Sequence, residues 1–211
     1  MSGKLFRGTY TAIVTPFKPD LTIDFDAFKK HLDHQIANGI SGIVVCGSTG
    51  ESATLSTKEK VALFTTAVEH VNKRVPIIAG SGSNNTQATI DLSTIAKELG
   101  ADATLLVAPY YNKPSQEGLY NHYRLIADQV DMPHIIYNVP SRSIVNIHPE
   151  IQLRLAEEFD NIVATKEASG NLEQIMTIAN NAPKNFSVLS GDDAITLPLI
   201  ATGKIIKTIK N

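Results

Sequence analysis

Short runs of aliphatic and β-branched residues alternate along this chain with longer stretches in which apolar residues recur every three or four positions. Seven runs stand out, at 10–17, 42–47, 76–80, 103–108, 134–139, 162–168 and 186–189. Between them the sets Phe25/Phe28/Leu32/Ile36, Val61/Phe64/Val68/Val71, Ala88/Leu92/Ile95/Leu99 and Leu119/Tyr123/Ile126/Val130 each give a helix one apolar face. This alternation predicts βα units and a parallel sheet. Local signals agree. Ser56-Thr57-Lys58-Glu59 has the spacing of a capping box, and Gly39 and Gly100 fall where helices should stop.

Such units build either a doubly wound open sheet or a (β/α)8 barrel. Polar or glycine-rich residues stand at the C-terminal end of nearly every run: Thr15-Pro16, Gly47-Ser48-Thr49-Gly50-Glu51, Gly80-Ser81-Gly82, Pro109-Tyr110-Tyr111-Asn112, Asn138-Val139-Pro140, Lys166-Glu167 and Ser190-Gly191-Asp192-Asp193. A barrel gathers all of them on one face, where such enzymes place their chemistry, whereas an open sheet scatters them. The barrel is therefore the expected architecture.

The 211 residues carry 19 Lys+Arg against 21 Asp+Glu, a net charge of −2, and 43% of them are apolar. With basic residues spread along the chain there is no footprint for a polyanion, so nucleic acid and anionic membrane surfaces are not expected partners. A small metabolite fits better. The single cysteine, Cys46, lies in an apolar run, which points to a reduced, buried thiol and a cytoplasmic protein. The N-terminus lacks the apolar core of a signal peptide, and no stretch reaches the ~18 apolar residues of a membrane span.

Lys166 departs most from its surroundings. Period-two alternation puts it on one face with Ile162, Ala164 and Ala168, and Val163, Thr165 and Glu167 on the other. A lysine on an apolar face is either a nucleophile, its amine kept neutral by burial and able to attack a carbonyl, or a strand-end cation paired with a nearby carboxylate. Tyr137 shares a face with Ile135 and is a candidate proton carrier, or a core tyrosine with a satisfied hydroxyl. The turn from Gly47 to Ser52 offers hydroxyls and backbone N–H groups suited to a carboxylate, although taken alone it is an ordinary tight turn. Arg142 is a planar donor fork on an active-face loop, or a solvated loop arginine. The six histidines show no zinc-binding spacing.

Five ordered motifs resemble the dihydrodipicolinate synthase, or 4-hydroxy-tetrahydrodipicolinate synthase, family. They are Gly47-Ser48-Thr49-Gly50-Glu51-Ser52, Pro109-Tyr110-Tyr111-Asn112 with the following Lys113 to Tyr120, Tyr137-Asn138-Val139-Pro140-Ser141-Arg142, Lys166-Glu167-Ala168-Ser169-Gly170-Asn171 and Ser190-Gly191-Asp192-Asp193. The resemblance covers about residues 5–203. N-acetylneuraminate lyase shares the wider superfamily, but the second motif and the Pro140-Ser141-Arg142 ending are similar to the synthase branch. The resemblance implies a Schiff-base lyase that condenses pyruvate with L-aspartate 4-semialdehyde, the first committed step toward diaminopimelate and lysine. Lys166 is the implied imine lysine. Tyr137, Ser48 and Tyr111 are the implied proton relay, with Tyr111 coming from a partner subunit of a homo-oligomer, a dimer of dimers. Thr49 and Gly191 belong to the pyruvate pocket, and Arg142 takes the carboxylate of the semialdehyde. No metal or organic cofactor is implied.

Three departures stand out. Ser48 replaces a usual Thr. The lysine-inhibition pocket keeps Ser52, Ala53, Asn84 and Tyr110 but has Ala88 and Lys60 where inhibited members carry Glu and His, so weak or absent lysine sensitivity is expected. After Gly203 the family motif gives way to Lys204-Ile205-Ile206-Lys207-Thr208-Ile209-Lys210-Asn211. That divides the chain into a barrel domain, 1–203, and a divergent tail, 204–211, and predicts an incomplete barrel. About seven βα units are expected, with the eighth strand, eighth helix and C-terminal helical region missing or replaced. With no family-like eighth strand to pair with the seventh and the first, two open sheet edges, poor solubility and a catalytically impaired chain are expected. Ile205, Ile206 and Ile209 offer a surrogate strand, but Lys204, Lys207 and Lys210 between them suit an exposed edge better.

Overall fold

The computed structural model describes Phe6, residues 8–201 and the backbone of residues 207–210. Eight parallel strands follow one another around a closed barrel. They are β1 (Gly8–Ala12), β2 (Gly42–Val45), β3 (Ile77–Gly80), β4 (Ala103–Val107), β5 (His134–Asn138), β6 (Ile162–Glu167), β7 (Ser187–Ser190) and β8 (Lys207–Lys210). The helices are α1 (Phe25–Ala37), α2 (Thr57–Val71), α3 (Thr86–Glu98), α4 (Gln116–Gln129), the short α5 (Pro140–Ser143), α6 (Pro149–Glu158), α7 (Leu172–Asn181) and α8 (Asp193–Ala201). The first seven strands are each followed by a helix within the described residues.

The local signals operate as their chemistry dictates. Ser56 and Glu59 form the reciprocal capping box at the start of α2, and Asp24, Asn85, Ser115 and Asn171 cap α1, α3, α4 and α7 through side-chain oxygens. Gly39 and Gly100 follow α1 and α3 with φ of 81° and 89°, the left-handed turn that stops a helix. The first apolar run ends as a strand at Ala12, earlier than the expected 17. Beyond it Pro16 cannot donate to a ladder, and Phe17 turns back to bridge Ile23.

Inside the barrel Tyr10, Val44, Ile78, Leu105, Ile135, Ala164 and Leu189 pack together. The opposite strand faces meet the helices in two outer cores, one around Phe28, Leu32, Leu63 and Phe64, the other around Leu119, Tyr123, Ile126 and Leu155.

The eighth position is filled by replacement. β8, drawn from the divergent tail, pairs in parallel with β7 (Leu189 to Lys207, Ser190 to Thr208) and with β1 (Gly8 to Lys207 through Thr11 to Lys210). The two open edges expected from the missing eighth strand are thus not present among the described residues, and the surrogate strand takes that place. Backbone pairing places no demand on which side chains a strand carries, so a Lys-rich segment closes the ladder. Ile205, Ile206 and the expected boundary at 203/204 lie outside the described residues.

Candidate active site

Tyr137 and Lys166 are register partners across β5 and β6, and Leu189 is the partner of Lys166 on β7. The alternation expected on β6 holds from Ala164 onward, with Ala164 in the barrel interior and Thr165 and Glu167 turned outward. Before it the expectation fails, because the pairing with β5 skips Val163, so that Ile162 packs in the outer core and Val163 against the interior. Lys166 is only 2% exposed, and among the described residues no salt bridge or hydrogen bond reaches its amine. Of the two sequence readings, the ion-paired lysine is therefore the one the geometry disfavours. Burial pulls its pKa down from 10.5 to about 8, with the charge of Asp193 opposing the shift and that of Arg142 adding to it. A substantial fraction of the amine is then neutral near pH 7 to 8.

Nζ of Lys166 lies 4.4 Å from the centroid of the Tyr137 ring. Tyr137 is itself buried, which raises its pKa, against smaller opposing effects from a Ser48 side-chain hydrogen bond and the charge of Arg142. A buried phenol hydrogen-bonded to an exposed serine, beside a buried amine, can pass protons between the amine and the cavity.

Gly191 lets the Lys166 side chain pass close by: a Cβ there would stand 2.8 Å from Cε of Lys166, closer than real contacts allow, and 3.0 Å from the Ala168 Cβ. Its N–H donates to the Glu167 carbonyl at 2.7 Å, so that amide is not offered to a ligand. The Gly47–Ser52 turn is likewise partly self-satisfied. The N–H groups of Gly50 and Ser52 bond to the Gly47 carbonyl, and that of Glu51 to the Ser48 carbonyl. The amides of Gly50, Glu51 and Ser52 are thus not donors to a ligand.

Arg142 sits in α5, whose Pro140 supplies a preset first helical residue. The Ser143 hydroxyl lies 3.1 Å from the Val139 carbonyl and 3.0 Å from that of Val145, and Ile147 N–H donates to Oδ1 of Asn138 at 3.0 Å. The turn that presents Arg142 is thus tied to the end of β5. Two cavities meet at Tyr137 and Arg142. The first, about 310 Å³, runs past Ser48, Glu51, Ala53 and Tyr110. The second, about 320 Å³, is bounded by Ala168, Gly191, Asp192 and Asp193.

The structure brings Tyr137, Ser48, Arg142 and Gly191 together at the cavities, with Lys166 packed against Tyr137 and Gly191 behind their lining and Thr49 half-buried beside Ser48; neither Lys166 nor Thr49 lines a cavity itself. Tyr111 is not part of this group within the chain. It is 90% exposed at φ 72° and lines neither cavity. Among the described residues no three His, Cys, Asp or Glu side chains could hold a metal ion.

Sequence reasoning missed a buried polar cluster behind the catalytic face. Oε1 of Glu167 accepts from Gln152 at 2.6 Å, Asn138 at 2.9 Å and Gln174 at 3.2 Å, and Asn146 joins Asn138 and Gln174. Asn138 and Glu167 are register partners one residue beyond Tyr137 and Lys166, so the cluster clamps the strand pair that aligns those two side chains. A charged residue on the helix-facing side of a buried strand was its only signal in the sequence.

A profile described as the Dihydrodipicolinate synthetase family matches residues 5–206. The 4-hydroxy-tetrahydrodipicolinate synthase of Bacillus subtilis is 50% identical over 198 residues, covering 94% of this chain and 68% of that protein. Among solved structures, dihydrodipicolinate synthase of Bacillus anthracis superposes with a TM-score of 0.94 at 49% identity, over 97% of this chain and 70% of that one. The synthase of Cyanidioschyzon merolae with lysine bound gives a TM-score of 0.94 at 43% identity, over 98% and 70%. The chain thus spans about two thirds of the length of these relatives.

Proposed function

The chain belongs to the dihydrodipicolinate synthetase family, and from that premise we propose that it condenses pyruvate with L-aspartate 4-semialdehyde to 4-hydroxy-tetrahydrodipicolinate, a step of diaminopimelate and lysine synthesis. The observation that carries this reading is the buried amine of Lys166, with its pKa drawn to about 8, beside the buried phenol of Tyr137.

In this reading the neutral amine attacks the pyruvate ketone and water leaves, giving an imine whose methyl group loses a proton to become an enamine. The enamine carbon attacks the aldehyde of the second substrate, and the new alkoxide is protonated. The semialdehyde nitrogen then replaces Nζ of Lys166 at the imine carbon, closing a six-membered ring and freeing the lysine. One water is lost overall. Tyr137 and Ser48 carry the protons, Thr49 holds the pyruvate carboxylate, Gly191 leaves room for the adduct, and Arg142 takes the carboxylate of the semialdehyde.

Tyr111 completes the relay from a second copy of the chain in the same proposal. Its 90% exposure and its absence from the lining of both cavities support that arrangement. A cytoplasmic location is part of the same reading, supported by the single cysteine, Cys46, being a free, buried thiol.

The test is turnover of pyruvate plus L-aspartate 4-semialdehyde by the purified chain, alongside its mass in solution. Product that requires both substrates and is lost in Lys166→Ala supports the reading. Consumption of pyruvate without the semialdehyde, or turnover that survives Lys166→Ala, contradicts it.

A further inference from the structure

Glu167 lies fully buried on the side of β6 away from the reacting amine, and no step of the proposed reaction uses it. Among the described residues no lysine, arginine or histidine pairs with it, and its Oε2 has no hydrogen-bond partner. Oε1 instead takes three donors from three elements: Gln152 on α6 at 2.6 Å, Asn138 on β5 at 2.9 Å and Gln174 on α7 at 3.2 Å. Buried polar clusters can often be replaced as a whole by apolar side chains of the same volume without loss of stability. One oxygen bare and the other shared three ways is therefore not what stability alone selects.

The strand pairing shows what a fixed acceptor is needed for. Between His134 and Ile135 the register of β5 on β6 shifts, so that His134 pairs with Ile162 but Ile135 with Ala164. Next to such an irregularity the backbone ladder does not settle the offset by itself, and a slip of one residue turns every following side chain to the opposite face. Such a slip would carry Lys166 out of the barrel. Asn138 and Glu167 close the other end of the same pair, one residue beyond Tyr137 and Lys166. Both are braced in turn. Asn138 Nδ2 also donates to Asn146, its Oδ1 accepts from Ile147 N–H, and Gln152 accepts from the Thr165 hydroxyl on β6 itself at 2.6 Å.

We propose that Glu167 is a positioning residue: by fixing Asn138 against the end of β6, its Oε1 selects the strand offset in which the Tyr137 ring covers the Lys166 side chain and keeps water from its amine. The place of one acceptor oxygen does this, not the charge of a carboxylate. The groups that face Lys166 are Tyr137 from β5, Arg142 from α5, Asp193 from the start of α8 and the uncharged Leu189 from β7, and a substitution at 167 removes none of them. The inference rests on the proposed function only in giving the dry amine a reaction to perform.

The test is the pH dependence of pyruvate imine formation on Lys166, trapped with borohydride, in the unaltered chain and in Glu167→Gln, Glu167→Asp and Glu167→Ala. Gln keeps the acceptor oxygen in place and sets its amide nitrogen where Oε2 has no partner, so the half-maximum should stay near 8. Asp keeps the carboxyl but draws the acceptor back by one methylene, and Ala removes it. In both, water reaching the amine should raise the half-maximum by about one pH unit, a roughly tenfold slower reaction at pH values below both midpoints. A residue that only holds the fold together lowers Tm in Asp and Ala and leaves the half-maximum where it was, and that result in the folded variants overturns the proposal. A shift in Gln as large as in Ala overturns it too, because the effect then follows charge. If neither Asp nor Ala folds, Gln152→Leu removes the tightest donor with Glu167 left in place; a raised half-maximum is again expected, and an unmoved one overturns the proposal. If the unaltered chain traps no pyruvate, the proposed function fails, and the midpoint is read instead from trace acetylation of Lys166 by acetic anhydride, with the same supporting and overturning results.

Discussion

The amine of Lys166 stands 4.4 Å from the ring centroid of Tyr137 because the two residues are register partners on adjacent strands, pointing into the same barrel interior. The spacing is a property of the β5–β6 pair rather than of a mobile loop. It makes the wall of the barrel, more than its rim, the element that sets up the chemistry.

Imine formation should follow deprotonation of Lys166. With burial lowering its pKa to about 8, the protonated, unreactive form dominates below that value and the neutral nucleophile above it. The rate of pyruvate adduct formation should therefore rise with pH to a half-maximum near 8. A half-maximum near the ordinary lysine value of 10.5 would mean that burial does not tune this amine.

Arg142→Ala should damage the second half-reaction and spare the first. The guanidinium is exposed at the cavity mouth, and its loss removes one charge-assisted contact, roughly 1.5–3 kcal/mol or about 10- to 150-fold in kcat/KM for the semialdehyde. Trapping of pyruvate on Lys166 should be nearly unchanged. Equal losses in both assays would make Arg142 a structural residue.

Glu167→Ala should cost stability. The substitution takes away the acceptor shared by Asn138, Gln152 and Gln174, each of which keeps another partner, so a loss of roughly 2–4 kcal/mol is expected. In a domain of this size that lowers Tm by about 5–15 °C. A shift of under a degree in calorimetry would show that the amides re-pair at no cost.

Lysine should inhibit turnover weakly or not at all. Ser52, Ala53 and Tyr110 line the first cavity and Asn84 donates to the Tyr110 carbonyl, but Ala88 offers a methyl where an ammonium needs an acceptor. Lys60 is half-buried on α2 nearby, a like charge whose pKa burial lowers. Inhibition at submillimolar lysine in a turnover assay would refute this.

Lys166 and Tyr137 were legible in the sequence because a polar residue in phase with buried aliphatics contradicts its strand, and period-two alternation fixes the face it takes. The barrel was legible because polar strand ends cluster only when the sheet closes. β8 was legible only as the alternative set aside, since Lys207 and Lys210 read as edge residues and the backbone ladder that recruits them leaves no mark on composition. The Glu167 cluster was hidden. Alternation says that Glu167 leaves the barrel interior, but not that amides on α6 and α7 meet it there. Tyr111 could be placed on a loop and no further, because its proposed partners lie outside its own chain.

The most direct measurement is borohydride reduction of the purified chain in the presence of pyruvate, followed by peptide mass analysis. The account predicts one reduced pyruvate adduct, on the peptide containing Lys166, and none in Lys166→Ala. An adduct on another lysine, or one that persists in Lys166→Ala, would contradict it.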